Sequence, residues 1–372
     1  MAQRIAILST YPATQCGIAT FCEALAAQLL ADGADVGVVR LVDAPEPERP
    51  PVVHEWLPGG DPAAVAAVLD RYDVVVVQHE YGIFGGPDGQ DVLDVVARVH
   101  VPVITVTHTV LTHPSPNQRR VLARLLDLSA AVVTMTRTAR DRLVAGWGVD
   151  PRSVSVIPHG AVDNRSAPTA PAGARPVVLS WGLLSPGKGI EWALLALAEL
   201  RERTALPLYR VVGQTHPRVR ERHGEAYRDS LLALTRDLDL TDCVDFDARY
   251  LSGDDLRAVV RGSDVVVLPY DSVEQVTSGV LTEAVAAGRP VISTRFPHAV
   301  ELLSEGAGVL VPQRDATALA DALEHVLSDD GVAARMAATS HATASAFMWP
   351  VVSRRYLELA AVLRVAALER AV

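Results

Sequence analysis

Lysine is almost missing from this sequence. Of 34 basic residues, all but Lys188 are arginine. Cysteine is scarce as well. Cys16, Cys22 and Cys243 are odd in number and widely spaced, which leaves no disulfide framework and no zinc ligand set. A reduced, cytosolic setting follows as the expectation. Aromatic residues make up only 5% of the chain. No apolar run reaches the ~18 residues a membrane span needs. Met1–Ser9 reads as a strand and lacks the basic-then-apolar profile of a signal peptide. A basic excess is absent too: the net charge of -10 argues against a nucleic-acid binder.

What is present is Val, Ala and Leu in a chain of 372 residues, 49% of them hydrophobic. That length implies two domains of roughly 150–200 residues. Short apolar runs alternate with amphipathic stretches. Strands are expected at Arg4–Ser9, Asp35–Leu41, Asp73–Gln78, Val101–Val106, Ala130–Met135 and Ser153–Ile157, with helices at Ile18–Leu30 and about Pro116–Leu128. The Pro-rich stretch Pro45–Pro51 reads as a loop. Asn164–Pro176, rich in proline and alanine and without apolar period, reads as an interdomain linker. The rhythm restarts at Val177–Trp181, Leu208–Gly213, Cys243–Asp247, Asp264–Pro269 and Pro290–Thr294, and a last helix is expected from Val351 to about Glu369. The pattern predicts an α/β chain of two Rossmann-like domains, 1–165 and 166–350, facing across a cleft.

Five strand ends carry candidate chemistry. The strongest lies in PYDSVEQVTSGVLTEAVAAGRPVI, residues 269–292. Here Thr277, Ser278, Gly279 and Val280 open a helix whose free N–H groups favour a phosphate. Glu283, just over one turn in, is positioned to accept from ribose hydroxyls. The second is SWGLLSPGKG, residues 180–189, where three glycines, Gly182 among them, surround Lys188. An ammonium there would meet a diphosphate as a point charge, although the loop does not match the Walker pattern. Gly213 closes the next strand. The third is STYPATQCGIATF, residues 9–21, with the amides of Gly17 and Ile18 at a bend. His108 follows a strand in TVTHTVLTHP, and Glu80 and Tyr81 follow another in QHEYGIFGG; these last two are acceptor-side candidates.

These motifs resemble the GT-B glycosyltransferases of family 4 over nearly the whole chain. The family's Gly-Ile/Val-Ala turn is matched by Gly17, Ile18 and Ala19. Its strand-end histidine is matched by His108, and its Ile-Pro-Asn-Gly-Val-Asp segment by Ile157 to Asp163. Its Gly-Arg-Leu-x-x-x-Lys-Gly loop corresponds to Gly182 through Gly189. The resemblance implies that Lys188 holds the donor phosphates and His108 contacts the donor sugar. It implies that the last helix returns to the N-domain and that anomeric configuration is retained. Two positions depart from the family. Leu183 stands where it has arginine, and Gln275 stands where it has the first acid of its Glu-x7-Glu pair; Glu283 is the second. An amide can hydrogen-bond there but cannot carry charge or attack carbon.

Weaker signals complete the reading. Asp245-Phe246-Asp247 spells D-x-D, but at a strand end, and no metal is expected. Arg249 and Tyr250 are candidates to border the nucleotide base. Arg119, Arg120, Arg124, Arg137, Arg140 and Arg142 make two helices basic. A solvated face is favoured there over contact with anionic lipid. The function expected is a retaining transfer of a mannose- or glucose-type hexose from a nucleoside-diphosphate sugar to an acceptor hydroxyl. His108, Lys188 and Gln275 are the candidate catalytic residues. No cofactor is expected beyond the donor, GDP-mannose being preferred to a UDP-sugar on general resemblance. The alternatives are a GT-B pseudo-glycosyltransferase, a nucleotide-sugar epimerase, or a non-catalytic nucleotide-sugar-binding protein.

Overall fold

The computed structural model describes residues 2–165, 175–251 and 253–371. It separates into two compact units, Met1–Gly160 with Trp349–Val372, and Ala161–Met348. Most of the stretch read as a linker, 166–174, lies outside the described residues. At its start, Asn164 is held in the second unit: its amide donates to the Arg257 carbonyl at 3.1 Å and accepts from Arg261 at 2.7 Å.

The first unit is a parallel sheet of seven strands. They are β1 (Arg4–Thr10), β2 (Asp35–Leu41), β3 (Val52–Trp56), β4 (Val74–His79), β5 (Val103–Thr107), β6 (Ala131–Thr134) and β7 (Val154–Val156), in the order β3-β2-β1-β4-β5-β6-β7. The valine run of β4 explains its central place. Val74 and Val76 pack on one face with Phe21 and Leu25 of the helix Gly17–Ala31. Val75 and Val77 pack on the other with Val65 and Leu69 of the helix Pro62–Leu69. All four valines are at most 1% exposed, each contributing about 1.5–3 kcal/mol by burial. The final helix, Trp349–Ala371, lies against the first face through Trp349, Val352, Tyr356 and Ala360. It begins two residues earlier than its sequence suggests, because Pro350 falls in the first turn, where a missing N–H costs nothing.

The second unit is a six-stranded parallel sheet. Its strands are β8 (Val177–Trp181), β9 (Leu208–Val212), β10 (Val244–Asp247), β11 (Val265–Leu268), β12 (Val291–Thr294) and β13 (Gly308–Val311), in the order β10-β9-β8-β11-β12-β13. The sequence reading missed β3 and β13. Both are short edge strands: His54 and Glu55 interrupt the half-buried β3, and β13 is an apolar run of only four residues that opens on a glycine. In each unit the strand order reverses once, between β1 and β4 and between β8 and β11. The carboxyl ends at such a switch point splay their loops apart and leave a crevice.

Candidate functional site

In the second unit the switch point is walled by backbone. The loop after β8 turns through Gly182, Gly187 and Gly189, with φ of +116°, +90° and +66°. A side chain at Gly189 would bring its Cβ within 1.9 Å of the Pro269 carbonyl oxygen. This loop is fastened to the one after β11, since the Asp271 N–H donates to Gly187 O at 3.1 Å. Lys188 projects from it, with Nζ 4.2 Å from the centre of the Tyr270 ring. Tyr270 stacks in turn on Phe296, at 5.1 Å between centroids. A small pocket opens there, lined by Ser180, Trp181, Gly182, Leu183, Lys188 and Tyr270 among others. The Tyr270 hydroxyl is buried without a protein partner.

The helix Gly279–Ala286 begins beside this pocket: a Cβ on Gly182 would lie 3.5 Å from Val280 Cγ2. Ser278 caps the helix, its hydroxyl accepting the Leu281 N–H at 3.2 Å. The Ser278 N–H is taken by Nδ1 of His298 at 2.8 Å. The Thr277 hydroxyl is buried and has no protein partner. Gln275 donates its amide N–H to the Thr277 carbonyl, so the residue at the family's acid position is committed to its own loop. Glu283 is partly buried. Desolvation pushes its carboxyl up to about 7, with Arg257 opposing.

In the first unit, Gly17 opens the helix after β1. A Cβ there would meet nothing within 4 Å, so open space lies over the helix start, and Cys16 caps it by accepting the Ala19 N–H at 3.3 Å. Phe21 of this helix meets the edges of His108 and His159, at 5.2 and 4.9 Å. His108 follows β5 and meets Gln78 Oε1 through Nε2 at 2.7 Å. Burial, with His159 and His79 nearby, pushes its imidazole down to about 3. It is therefore a neutral ring with Nε2–H donating and Nδ1 left as an acceptor. Glu80 accepts the Gly82 N–H at 2.8 Å. Tyr81 is buried against His79, its hydroxyl without a protein partner.

Both halves of the chain match models of known families: residues 16–165 that of "Glycosyltransferase Family 4", and 175–329 that of "Glycosyl transferases group 1". The chain belongs to the family 4 glycosyltransferases. It is 28% identical to a D-inositol 3-phosphate glycosyltransferase of Corynebacterium diphtheriae, over 77% of this chain and 69% of that one. It is also 28% identical to a GDP-mannose-dependent alpha-(1-6)-phosphatidylinositol monomannoside mannosyltransferase of Mycolicibacterium smegmatis, over 66% and 65%. The fold is that of the sucrose-phosphate synthase of Thermosynechococcus elongatus, with TM-score 0.80, 21% identity and coverage of 98% and 100%. It is likewise that of an Anabaena protein, HepE, solved with UDP, with TM-score 0.76, 19% identity and coverage of 97% and 100%. These likenesses give the α/β, two-unit GT-B architecture.

In this glycosyltransferase the fold gathers Gly182, Lys188, Gly213, Gln275, Thr277, Ser278, Gly279 and Val280 at one edge of the second sheet. Glu283 lies on the same helix. Gly17, Ile18, His108, Glu80 and Tyr81 belong to the carboxyl edge of the first sheet. Arg249 is engaged by Asp247, at 2.6 Å, and Arg210 by Asp245, at 3.3 Å; Tyr250 is exposed. Arg249 and its hydrogen bonds hold the Asp247 carboxyl down near 2. The basic helices are partly occupied by local contacts: Arg119 lies 5.0 Å over the Trp147 ring and Arg142 donates to the Val110 carbonyl at 2.9 Å. No described helix is long and apolar enough to cross a membrane. The sequence reading missed His298, Tyr270 and Arg257. His298 follows a proline that opens a helix, and that His-after-Pro turn was the only local signal.

Proposed function

We propose that the chain transfers a hexose, with retention, from a nucleoside-diphosphate sugar to an acceptor hydroxyl, and that the donor diphosphate binds the switch point of the second unit. The observation that carries this reading is the sole lysine, held in a glycine-walled loop beside a helix start whose Thr277 hydroxyl is buried and unpartnered. Such a group would be satisfied by a ligand oxygen. As the bond from sugar C1 to the phosphate oxygen breaks, negative charge grows on the leaving diphosphate. Lys188 and the N–H groups at the start of the helix Gly279–Ala286 stabilise that charge. The acceptor oxygen bonds to C1, and its proton passes to the departing phosphate oxygen. Neutral His108 is assigned to the donor sugar as an acceptor at Nδ1. GDP-mannose is the preferred donor, supported by the relative whose name states that dependence.

The test is a thermal-shift series with GDP and UDP, followed by incubation with GDP-mannose and UDP-glucose and NMR of the products. Binding to the native state raises the melting temperature by mass action. A shift with one nucleotide and an α-configured glycoside would support the reading. Binding without transfer or hydrolysis above background would instead favour a nucleotide-sugar-binding protein, as the departures at Leu183 and Gln275 allow.

A further inference from the structure

Leu183 leaves the glycine loop without the arginine that the family places there. The neighbouring strand end carries a second polar group to the same backbone. Gly182 N–H donates to Val212 O at 2.9 Å, Leu184 N–H to Gln214 O at 2.9 Å, and His216 N–H to Leu184 O at 2.8 Å. Leu184 and Thr215 form a parallel bridge, so the ladder of β8 and β9 runs on into the two loops. Gly213 makes this possible: at φ of +137°, a Cβ there would come within 2.1 Å of Gly182 O. The 182–184 and 213–216 segments are thus one continuous backbone surface. It is braced from beneath, where Thr215 donates to Glu225 and Arg228 donates to Gly213 O and pairs with Glu225.

His216 is half-buried on this surface. Its Nδ1 accepts the Arg218 N–H at 3.3 Å. A ring nitrogen that accepts carries no proton, so the neutral ring holds its proton on Nε2, which can only donate. Burial, Arg218 and Lys188 all hold the His216 imidazole below its ordinary range, which favours the neutral form.

We propose that His216, through Nε2–H, donates a hydrogen bond to the donor diphosphate beside Lys188, supplying the N–H donor that an arginine in place of Leu183 would offer there. The proposal rests on the reading of the 182–189 loop as the donor site. It explains how the loop tolerates an aliphatic residue there, since the missing N–H donor enters from the adjoining strand end.

The test is calorimetry of GDP and UDP with four proteins: wild type, Lys188→Ala, His216→Asn, and His216→Asn combined with Leu183→Arg. Asparagine keeps an acceptor for the Arg218 N–H, as a preferred capping residue, but has no atom at Nε2. His216→Asn is expected to bind the nucleoside diphosphate about tenfold more weakly, the low end for a hydrogen bond to a charged group. Affinity for guanosine or uridine and the melting temperature stay unchanged, and Leu183→Arg recovers the loss. Wild-type affinity in His216→Asn, with affinity lost in Lys188→Ala, overturns the His216 assignment and leaves the donor site standing. A parallel fall in nucleoside and diphosphate affinity assigns His216 to structure and also overturns it. A selective loss that Leu183→Arg does not recover overturns the replacement of the arginine. If wild type binds neither nucleotide, or Lys188→Ala binds as wild type, the donor-site reading fails and the proposal with it.

Discussion

Lys188 Nζ rests 4.2 Å from the centre of the Tyr270 ring, which itself stacks on Phe296. The ammonium is therefore held over an aromatic face at the mouth of the pocket, where a cation–π contact is worth about 0.5–2 kcal/mol. A diphosphate would outweigh that contact. Lys188→Ala is expected to lower transfer by roughly 100-fold, equivalent to ~3 kcal/mol for a charged contact. Lys188→Arg should recover only part, because a planar guanidinium does not fit a loop closed by Gly187 and Gly189 as a compact ammonium does. Steady-state rates with a defined donor check this, and a wild-type rate in the alanine variant would remove the loop from the phosphate site.

Glu283 provides a pH test. Its folded carboxyl lies near 7, above the ordinary 4.5. The native state then holds a proton that the unfolded chain has released across that window. Stability contributed by the protonated group is present below about 4.5 and is lost as pH rises through 7. Glu283→Gln should flatten this part of the stability profile. If the ionised carboxylate receives ribose hydroxyls, nucleoside affinity of the wild type should rise with pH through 7 and that of Glu283→Gln should not. Identical pH profiles for the two proteins would give Glu283 a structural role only.

Gln275 is expected to resist restoration of the family's acid. Its amide N–H is spent on the Thr277 carbonyl, in the same peptide group as the Ser278 N–H that His298 receives. Gln275→Glu replaces that donor with a carboxylate oxygen facing a carbonyl oxygen. We expect a lower melting temperature and weaker donor binding, on the order of 1–3 kcal/mol for a disrupted half-buried hydrogen bond. Scanning calorimetry and nucleotide titration measure both. A glutamate variant as stable as wild type and more active would show that the loop repacks freely.

His108 is held neutral over the working range, its Nε2 facing Gln78 Oε1. It is not a proton source. His108→Ala should depress turnover more than nucleoside diphosphate affinity, and the pH–rate profile should carry no limb from this ring. Equal loss of both, with a reduced melting temperature, would mean that its contact with Phe21 and Gln78 matters more than any sugar contact.

Local chemistry in the sequence was enough for the sheet strands with strong valine runs, the glycine turns, the capping serine and the singular lysine. Periodicity and turn preference are properties of neighbouring residues, so they are legible along the chain. The short edges β3 and β13 were not: His54 and Glu55 interrupt the one, and the other spans only four residues and opens on a glycine. The company each site residue keeps was decided by tertiary structure. Parallel strands need crossovers, and the reversal of order sets β8 beside β11 while β9 and β10 lie on the other side. That single step brings the Lys188 loop against Tyr270 and Val280. The ladder from β8 to β9 brings His216 to Leu184, and the packing of the helix Pro297–Leu303 brings His298 to Ser278. The commitment of Gln275 to its own loop and the raised carboxyl of Glu283 follow from burial and close partners, quantities that exist only once distant segments have met.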